Sequence, residues 1–467
     1  MDKQRILGWS VRLLQVMTIA ACLYLAIQFR TPPLASVRSV LVWVIPVMFL
    51  TIAAADMFSQ RSHPMAAAAH FGLSWLMLVL CAAGLTIFTV QQGQFLATKH
   101  FVLSQSPETL ERLGAHLVVG YRRQHEIDRL IEKRAIAGVF LTARNLRGKS
   151  YSGIQQSIAH LQTLRQASGL TPLWVAADQE GGIVSRLSPP LTLLPPLSET
   201  IADKDETERQ TAVQAYATVH GQELADLGVN LNFAPVVDLN KGQLNPDDRL
   251  SQIFRRAIAS DGNTVAAVAQ TYCQTLADYG VRCTLKHFPG LGRVVNDTHL
   301  SAAELTTPID VLNQADWLPF RPDRMAMGAF TMLGHATLTQ IDPDHPASFS
   351  PAVVQQLLRQ GWQHTGVFIT DDFSMGAVYD SADGVTGAAL KALNGGVDLL
   401  LLSYDPELYY IVMAGLLRAD QNRQLDGVQL AISRDRLRQN QAQLAAAAHS
   451  STEAINRVSP NLTLSLK

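Results

Sequence analysis

The stretch Arg282-Cys283-Thr284-Leu285-Lys286-His287-Phe288-Pro289-Gly290-Leu291-Gly292 decides how this chain folds. Arg282–Lys286 reads as a short strand that ends on two polar groups. A Pro and two Gly then follow within a few residues and make a turn-rich loop able to move. Just upstream, Thr264–Leu276 sets Val265, Val268, Ala269, Tyr272 and Leu276 on one helical face. The same unit of helix, strand, polar strand end and loop recurs along the chain. Strands are expected at His116–Tyr121, Ala137–Thr142, Leu173–Ala177, Asn230–Val237, Arg282–Lys286, Ala329–Leu333, Val367–Thr370 and Val397–Leu402. A further helix opens at Ser350-Pro351, buries Val353, Val354, Leu357 and Leu358, and ends at Gly361. Eight strands alternating with helices predict an α/β fold, a (β/α)8 TIM-type barrel. A doubly wound open sheet is the alternative, although no G-x-G-x-x-G follows an early strand to mark a dinucleotide site.

The first hundred residues differ in texture. Apolar runs at about residues 13–29, 37–57 and 71–89 each approach the roughly 20 residues that cross a bilayer as a helix. A signal peptide would explain the first run alone, but it lacks a small-residue cleavage site and two more runs follow. The expectation is an N-terminal helical transmembrane region over 1–100, a barrel domain over 101–450 and a polar tail over 451–467. Lys3, Arg5, Arg12 and Arg61 balance Arg30, Arg38, Lys99 and Arg112 across the spans. The first helix tips the balance toward a cytoplasmic N-terminus. This places the chain in the inner (plasma) membrane as a multi-pass protein, its catalytic domain on the periplasmic or extracytoplasmic side. A formal net charge of −1 gives no support for a nucleic-acid partner. Cys22 and Cys81 lie in the apolar runs. Cys273 and Cys283 are read as two small buried apolar residues rather than a disulfide.

In a barrel the active site forms at the C-terminal ends of the strands. The polar residues there are Asp178, Asp238, Lys286, His287, His335, Asp371 and Asp372. Charged and His side chains seldom sit against core strands unless paired or functional. The loop after the fifth strand adds Asp297-Thr298-His299. A carboxylate two residues from an imidazole can hold one ring nitrogen, fix the tautomer and leave the other nitrogen for proton transfer. No further His or carboxylate sits at ligand spacing beside them, so no metal is expected.

Four segments in order carry a family resemblance: Asp178-Gln179-Glu180-Gly181-Gly182, Asn232-Phe233-Ala234-Pro235-Val236-Val237-Asp238, Lys286–Gly292 with Asp297-Thr298-His299, and Thr370-Asp371-Asp372-Phe373-Ser374-Met375. Together they closely resemble the motifs of glycoside hydrolase family 3 β-N-acetylglucosaminidases over about residues 104–405. The resemblance implies a retaining glycosidase that needs no metal or organic cofactor. It implies Asp371 as nucleophile, His299 as general acid/base and Asp297 as its partner. It implies Asp178, Arg186, Arg256, Lys286 and His287 as residues that hold the sugar, and Asp372 as a supporting carboxylate. The implied substrate is a carbohydrate with terminal N-acetylglucosamine, peptidoglycan fragments among them. About 65 residues follow the last strand, too few for the second α/β domain of two-domain β-glucosidases, which favours the single-domain type. Three positions depart from the pattern. Leu291 replaces a His, Ile183 stands where an Arg is usual, and Ile253–Ser260 keeps only Arg256 of its motif. A phosphorylase, with phosphate in place of water, and a catalytically silent sugar-binding protein are the alternatives.

Overall fold

The computed structural model describes residues 3–62, 64–243, 248 and 250–458. The chain divides into two compact units, Met1–Leu103 and Ser104–Lys467.

The first unit is three helices, α1 (Lys3–Ile27), α2 (Arg38–Ser62) and α3 (Pro64–Leu103). All three are long and apolar enough to cross a membrane, over Trp9–Ile27, Arg38–Gln60 and Phe71–Leu103. They pack through Ile19, Cys22, Phe29, Ile45, Phe49, Met77, Cys81 and Phe88. Trp9, Leu13, Leu14, Trp43, Phe58 and Trp75 face outward. The fully buried Asp56 is paired with Arg12 and also accepts from Gln60 and Ser74. An unpaired carboxylate there would be far costlier.

The second unit is built on eight parallel strands. These are β1 (Leu117–Gly120), β2 (Gly138–Leu141), β3 (Trp174–Ala177), β4 (Leu231–Asn232), β5 (Thr284–Phe288), β6 (Phe330–Leu333), β7 (Phe368–Asp372) and β8 (Leu399–Leu402). All eight expected strands are present. Their order is β4-β3-β2-β1-β8-β7-β6-β5. Parallel bridges Leu231↔Arg282 and Val236↔Lys286 bring the two outer strands together, so the sheet is nearly closed into a barrel. The open-sheet alternative does not hold. β1, β2, β3 and β8 are buried at every position, as expected of parallel strands covered on both faces. The interior is filled by Val118, Phe140, Trp174, Phe233, Phe330, Met332, Ile369 and Leu401, with Leu437 and Leu444 supplied by the helix Gly427–Val458.

The structure corrects several details. β4 is two residues long rather than eight: Phe233 N still donates to Ala177 O and Ala234 O accepts from Thr284 N, but Pro235 has no N–H to donate, and beyond it only an isolated bridge at Val236 remains. The helix opened by Ser350-Pro351 is a π-helix over Ala352–Gly361. Ser350 Oγ accepts from Val353 N at 3.2 Å, and Leu357 is only half buried. Cys273 and Cys283 are joined in a disulfide with Cα atoms 5.2 Å apart, not two separate thiols. Cys273 lies on the helix Gly262–Asp278, and the turn back into β5 brings Cys283 beside it. Separately, the helix Gly427–Val458 runs on past residue 451, the expected start of the polar tail. Residues 459–467, with the sequon Asn461-Leu462-Thr463, lie outside the described residues.

Candidate active site

Each strand end delivers one piece. After β3 the chain makes a tight hairpin, Gln179–Gly181 against Val184–Ser185. Gly181 has φ 93°, and a Cβ there would lie 1.8 Å from Tyr216 Oη, so only glycine fits. Tyr216 donates to Glu180 O at 3.0 Å. Asn232 Nδ2 donates to Gln179 O at 2.8 Å, and Gln179 N donates back to Asn232 Oδ1 at 3.0 Å, which fastens the hairpin to β4. Both β5 and β7 shift register, between Leu285 and Phe288 and between Ile369 and Asp372. Bulges of this kind re-aim side chains at barrel rims. Here they fall on Lys286-His287 and on Asp371.

Lys286 Nζ donates to Asp178 Oδ1 at 2.7 Å and reaches Glu180 Oε1 at 2.6 Å. Arg256 grips Glu180 with both prongs, Nε to Oε2 at 2.9 Å and Nη2 to Oε1 at 2.8 Å. Burial works to raise the Glu180 carboxyl. The two cations outweigh it and hold it at about 2. Burial likewise works against the charge on Lys286, and Asp178 and Glu180 reverse that and raise it. Asp238 organises the next position: His287 Nδ1 donates to its Oδ2 at 2.7 Å and Leu291 N to its Oδ1 at 2.6 Å. The other nitrogen of His287, Nε2, lies 4.0 Å from Asp371 Oδ2.

Asp371 is 16% exposed at the end of β7, the open face of the cleft. Desolvation would raise its carboxyl. The surrounding His287, His335 and His299 and the Asp372 N–H, which donates at 2.8 Å, bring it down to about 2. Asp372, its neighbour, is saturated. It accepts from Ser374 N, Ser403 N, Ser403 Oγ and Tyr404 N at 2.6–3.0 Å, so it braces the loop after β8 and has no lone pair aimed at the cleft. His335 is fully buried between Ser348 Oγ, 2.7 Å, and Asp372 O, 3.1 Å, and burial pushes its imidazole toward the neutral form.

The long loop after β5 carries the last pair. His299 donates from Nδ1 and from its backbone N to Asp297 Oδ1, at 2.7 and 2.9 Å. Asp297 is 6% exposed, and its second oxygen accepts from Leu250 N and Ser251 N at 3.3 and 3.4 Å. Burial acts to lower the His299 imidazole. The bond to Asp297 and the charges of Asp371 and Asp297 outweigh it and raise it above the usual value. The Asp297 carboxyl is lowered, since the pairing with His299 overcomes its burial. The His299 carbonyl accepts from Gly376 N at 2.9 Å, which ties this loop to the segment just past Asp371.

The structure therefore brings Asp178, Lys286, His287, Arg256, Asp297, His299 and Asp371 together, and adds Glu180 and Asp238 beneath them. Arg186 differs. Its backbone N donates to Asp178 O at 2.9 Å, but its side chain is exposed and bonded to none of the described residues. Leu291 is 6% exposed and packs with Ile253, Ala257, Ala336 and Val294, an apolar fastening between the loop that carries His299 and the one that carries Arg256. Ile183 stands exposed beside the hairpin turn. Among the described residues no group of three or more His, Cys, Asp or Glu is placed to hold a metal ion.

One barrel rim thus sets a half-buried carboxyl drawn down to about 2 near an imidazole raised above its usual value, beside a clamp of cations and carboxylates, an arrangement suited to acid/base chemistry. Residues 108–438 match the glycosyl hydrolase family 3 N terminal domain; the chain belongs to that family and is a glycosidase. It is 35% identical to a beta-hexosaminidase of Xanthomonas euvesicatoria over 298 residues, 63% of this chain and 83% of the relative. The family 3 beta-N-acetylglucosaminidase of a Paenibacillus species superposes with a TM-score of 0.65 at 28% identity, over 72% of this chain and 62% of that one. The beta-N-acetylhexosaminidase of Beutenbergia cavernae gives 0.58 at 31% identity, over 73% of this chain and 98% of that one.

Proposed function

We propose that the chain is a retaining β-N-acetylhexosaminidase that removes terminal, non-reducing β-linked N-acetylglucosamine. The observation that carries this reading is the opposed electrostatics of two groups in one cleft: the Asp371 carboxyl is drawn down to about 2, and the His299 imidazole is raised above its usual value by Asp297 and Asp371. Pairs of titratable groups pushed apart in this way mark acid and base roles. In the first step Asp371 attacks the anomeric carbon as the His299 imidazolium gives its proton to the leaving oxygen. A glycosyl ester on Asp371 results. In the second step neutral His299 takes a proton from water, the water oxygen attacks the same carbon, and Asp371 is released. A His can serve both steps because both of its protonation states are reachable near neutral pH. Asp297 orients it. Asp178, Lys286, His287 and Arg256 bind the sugar, and Arg186 reaches it from the exposed rim.

The relatives' activities support the N-acetylhexosamine substrate, and the family resemblance extends it to peptidoglycan-derived saccharides. The nearly closed sheet is read as a (β/α)8 barrel over 101–450, carried on a three-span anchor over 1–100. Its disulfide supports an extracytoplasmic position, because disulfides persist in oxidising compartments and are rare in the cytosol.

The test compares p-nitrophenyl N-acetyl-β-glucosaminide with the β-glucoside and follows the first-formed anomer by NMR. Preference for the N-acetyl substrate with a β first product supports the reading. Equal rates, or an α first product, would contradict it.

A further inference from the structure

At the other end of the barrel a second cavity, of about 250 Å³, opens beside Ala137 and Trp174, at the starts of β2 and β3. Its wall carries four guanidinium groups, Arg134, Arg165, Arg434 and Arg438, against a single carboxylate, Glu111. Glu111 pairs with Arg134 at 3.1 Å. Arg165 is 7% exposed, and its Nε and Nη1 donate to the carbonyls of Thr171 and Ile136, both at 2.9 Å. Neutral carbonyls satisfy its hydrogen bonds but not its charge. Burial pulls this guanidinium down to about 10, with Glu111 too weak an offset. Arg434 Nε is buried and has no hydrogen-bond partner among the described residues. Arg438 meets Asp435 only at 3.7 Å, both side chains about two-thirds exposed, which in water is a weak pair.

Like charges gathered in a concave site and left uncompensated are costly, and an anion relieves that cost. Guanidinium forks match the oxygens of a phosphate bidentately. A carboxylate would leave more of the positive charge unmatched than a dianion would. Leu170, Trp174 and Leu437 supply an apolar wall for the organic part of an ester. We propose that this cavity binds a phosphate-bearing anion. A phospholipid headgroup and a soluble phosphate share that chemistry. The site uses none of the residues assigned to glycoside cleavage, so it stands or falls apart from that reading.

The test uses the full chain. In non-ionic detergent, inorganic phosphate is titrated by calorimetry and thermal shift, with chloride at matched ionic strength as the control. In parallel, thermal stability is compared in nanodiscs with and without phosphatidylglycerol. Saturable phosphate binding that weakens at least tenfold in the Arg434→Gln/Arg438→Gln variant supports a soluble ligand. Stabilisation by phosphatidylglycerol alone, lost in the same variant, supports a headgroup. The variant should cleave the aryl N-acetylglucosaminide at the unaltered rate, which shows that it is folded. If the pair of changes unfolds the protein, Arg438→Gln alone, on an exposed side chain, should still weaken binding. No saturable response to either probe, or a response that the variants leave intact, overturns the proposal.

Discussion

Replacing Asp297 with Asn changes charge while keeping shape. In the native site its Oδ1 accepts two hydrogen bonds from His299, and Oδ2 accepts from Leu250 N and Ser251 N. An Asn can present its carbonyl to His299 and so preserve the tautomer. Its NH2 group then faces two backbone donors. A hydrogen bond to a charged group contributes about 1.5–3 kcal/mol against about 0.5–1.5 for a neutral one. The variant therefore loses about 1–2 kcal/mol of support for the imidazolium, or about 5–30-fold in rate. The loss should fall on kcat/KM for a poor leaving group, where protonation of the departing oxygen limits the rate. It should be small for a 2,4-dinitrophenyl glycoside, whose leaving group needs no proton. pH dependence supplies the second readout. The proposed role of His299 as acid requires its protonated form, and its value is raised, so the proposal predicts that activity falls as pH rises through that raised value. In Asp297→Asn the fall should begin at a lower pH. Equal losses on both substrates, with an unmoved basic limb, would refute the reasoning.

Further outcomes follow from the same geometry. Glu180→Gln leaves Arg256 and Lys286 buried beside a neutral group and should destabilise the barrel by about 3–5 kcal/mol in urea unfolding. In the native protein Glu180 is held at about 2, below its unfolded value, so its contribution is present above about pH 4.3 and is lost as pH falls toward 2. Leu291→Ala removes the apolar fastening against Ile253 and Ala336 and should lower stability by about 2–4 kcal/mol, with kcat falling more than KM rises. Denatured, unreduced protein should titrate two thiols, Cys22 and Cys81, and tryptic mapping should recover the Cys273 and Cys283 peptides linked; four titrating thiols would remove the disulfide and its support for an extracytoplasmic barrel.

The barrel was legible because its strands are buried on both faces and read as apolar runs closed by polar residues. Pro235 hid the true length of β4, since sequence shows apolar character but not where a missing N–H breaks the ladder. Asp297 and His299 were legible because they are two residues apart. Glu180 was not, although it sits inside one of the four motif segments: its partners come from elsewhere in the chain, Arg256 from a short helical turn 76 residues away and Lys286 from β5. Charge neutralisation of that kind exists only once the barrel closes. The disulfide was missed for a related reason. Ten residues of separation say little until the helix that carries Cys273 and the turn into β5 that carries Cys283 bring the two Cα atoms to 5.2 Å. Leu291, a departure by motif, is explained by its contacts: a His there would bury a polar ring among Ile253, Ala257 and Ala336.

The central claim is that Asp371 becomes covalently glycosylated. Incubation with a 2-fluoro-2-deoxyglycosyl donor that carries an activated leaving group, followed by proteolysis and tandem mass spectrometry, tests it directly. The account predicts one sugar per chain, attached to Asp371, with the label absent in Asp371→Asn. A label on Asp372 or Asp178, or steady turnover of N-acetylglucosaminide by Asp371→Asn, would contradict it.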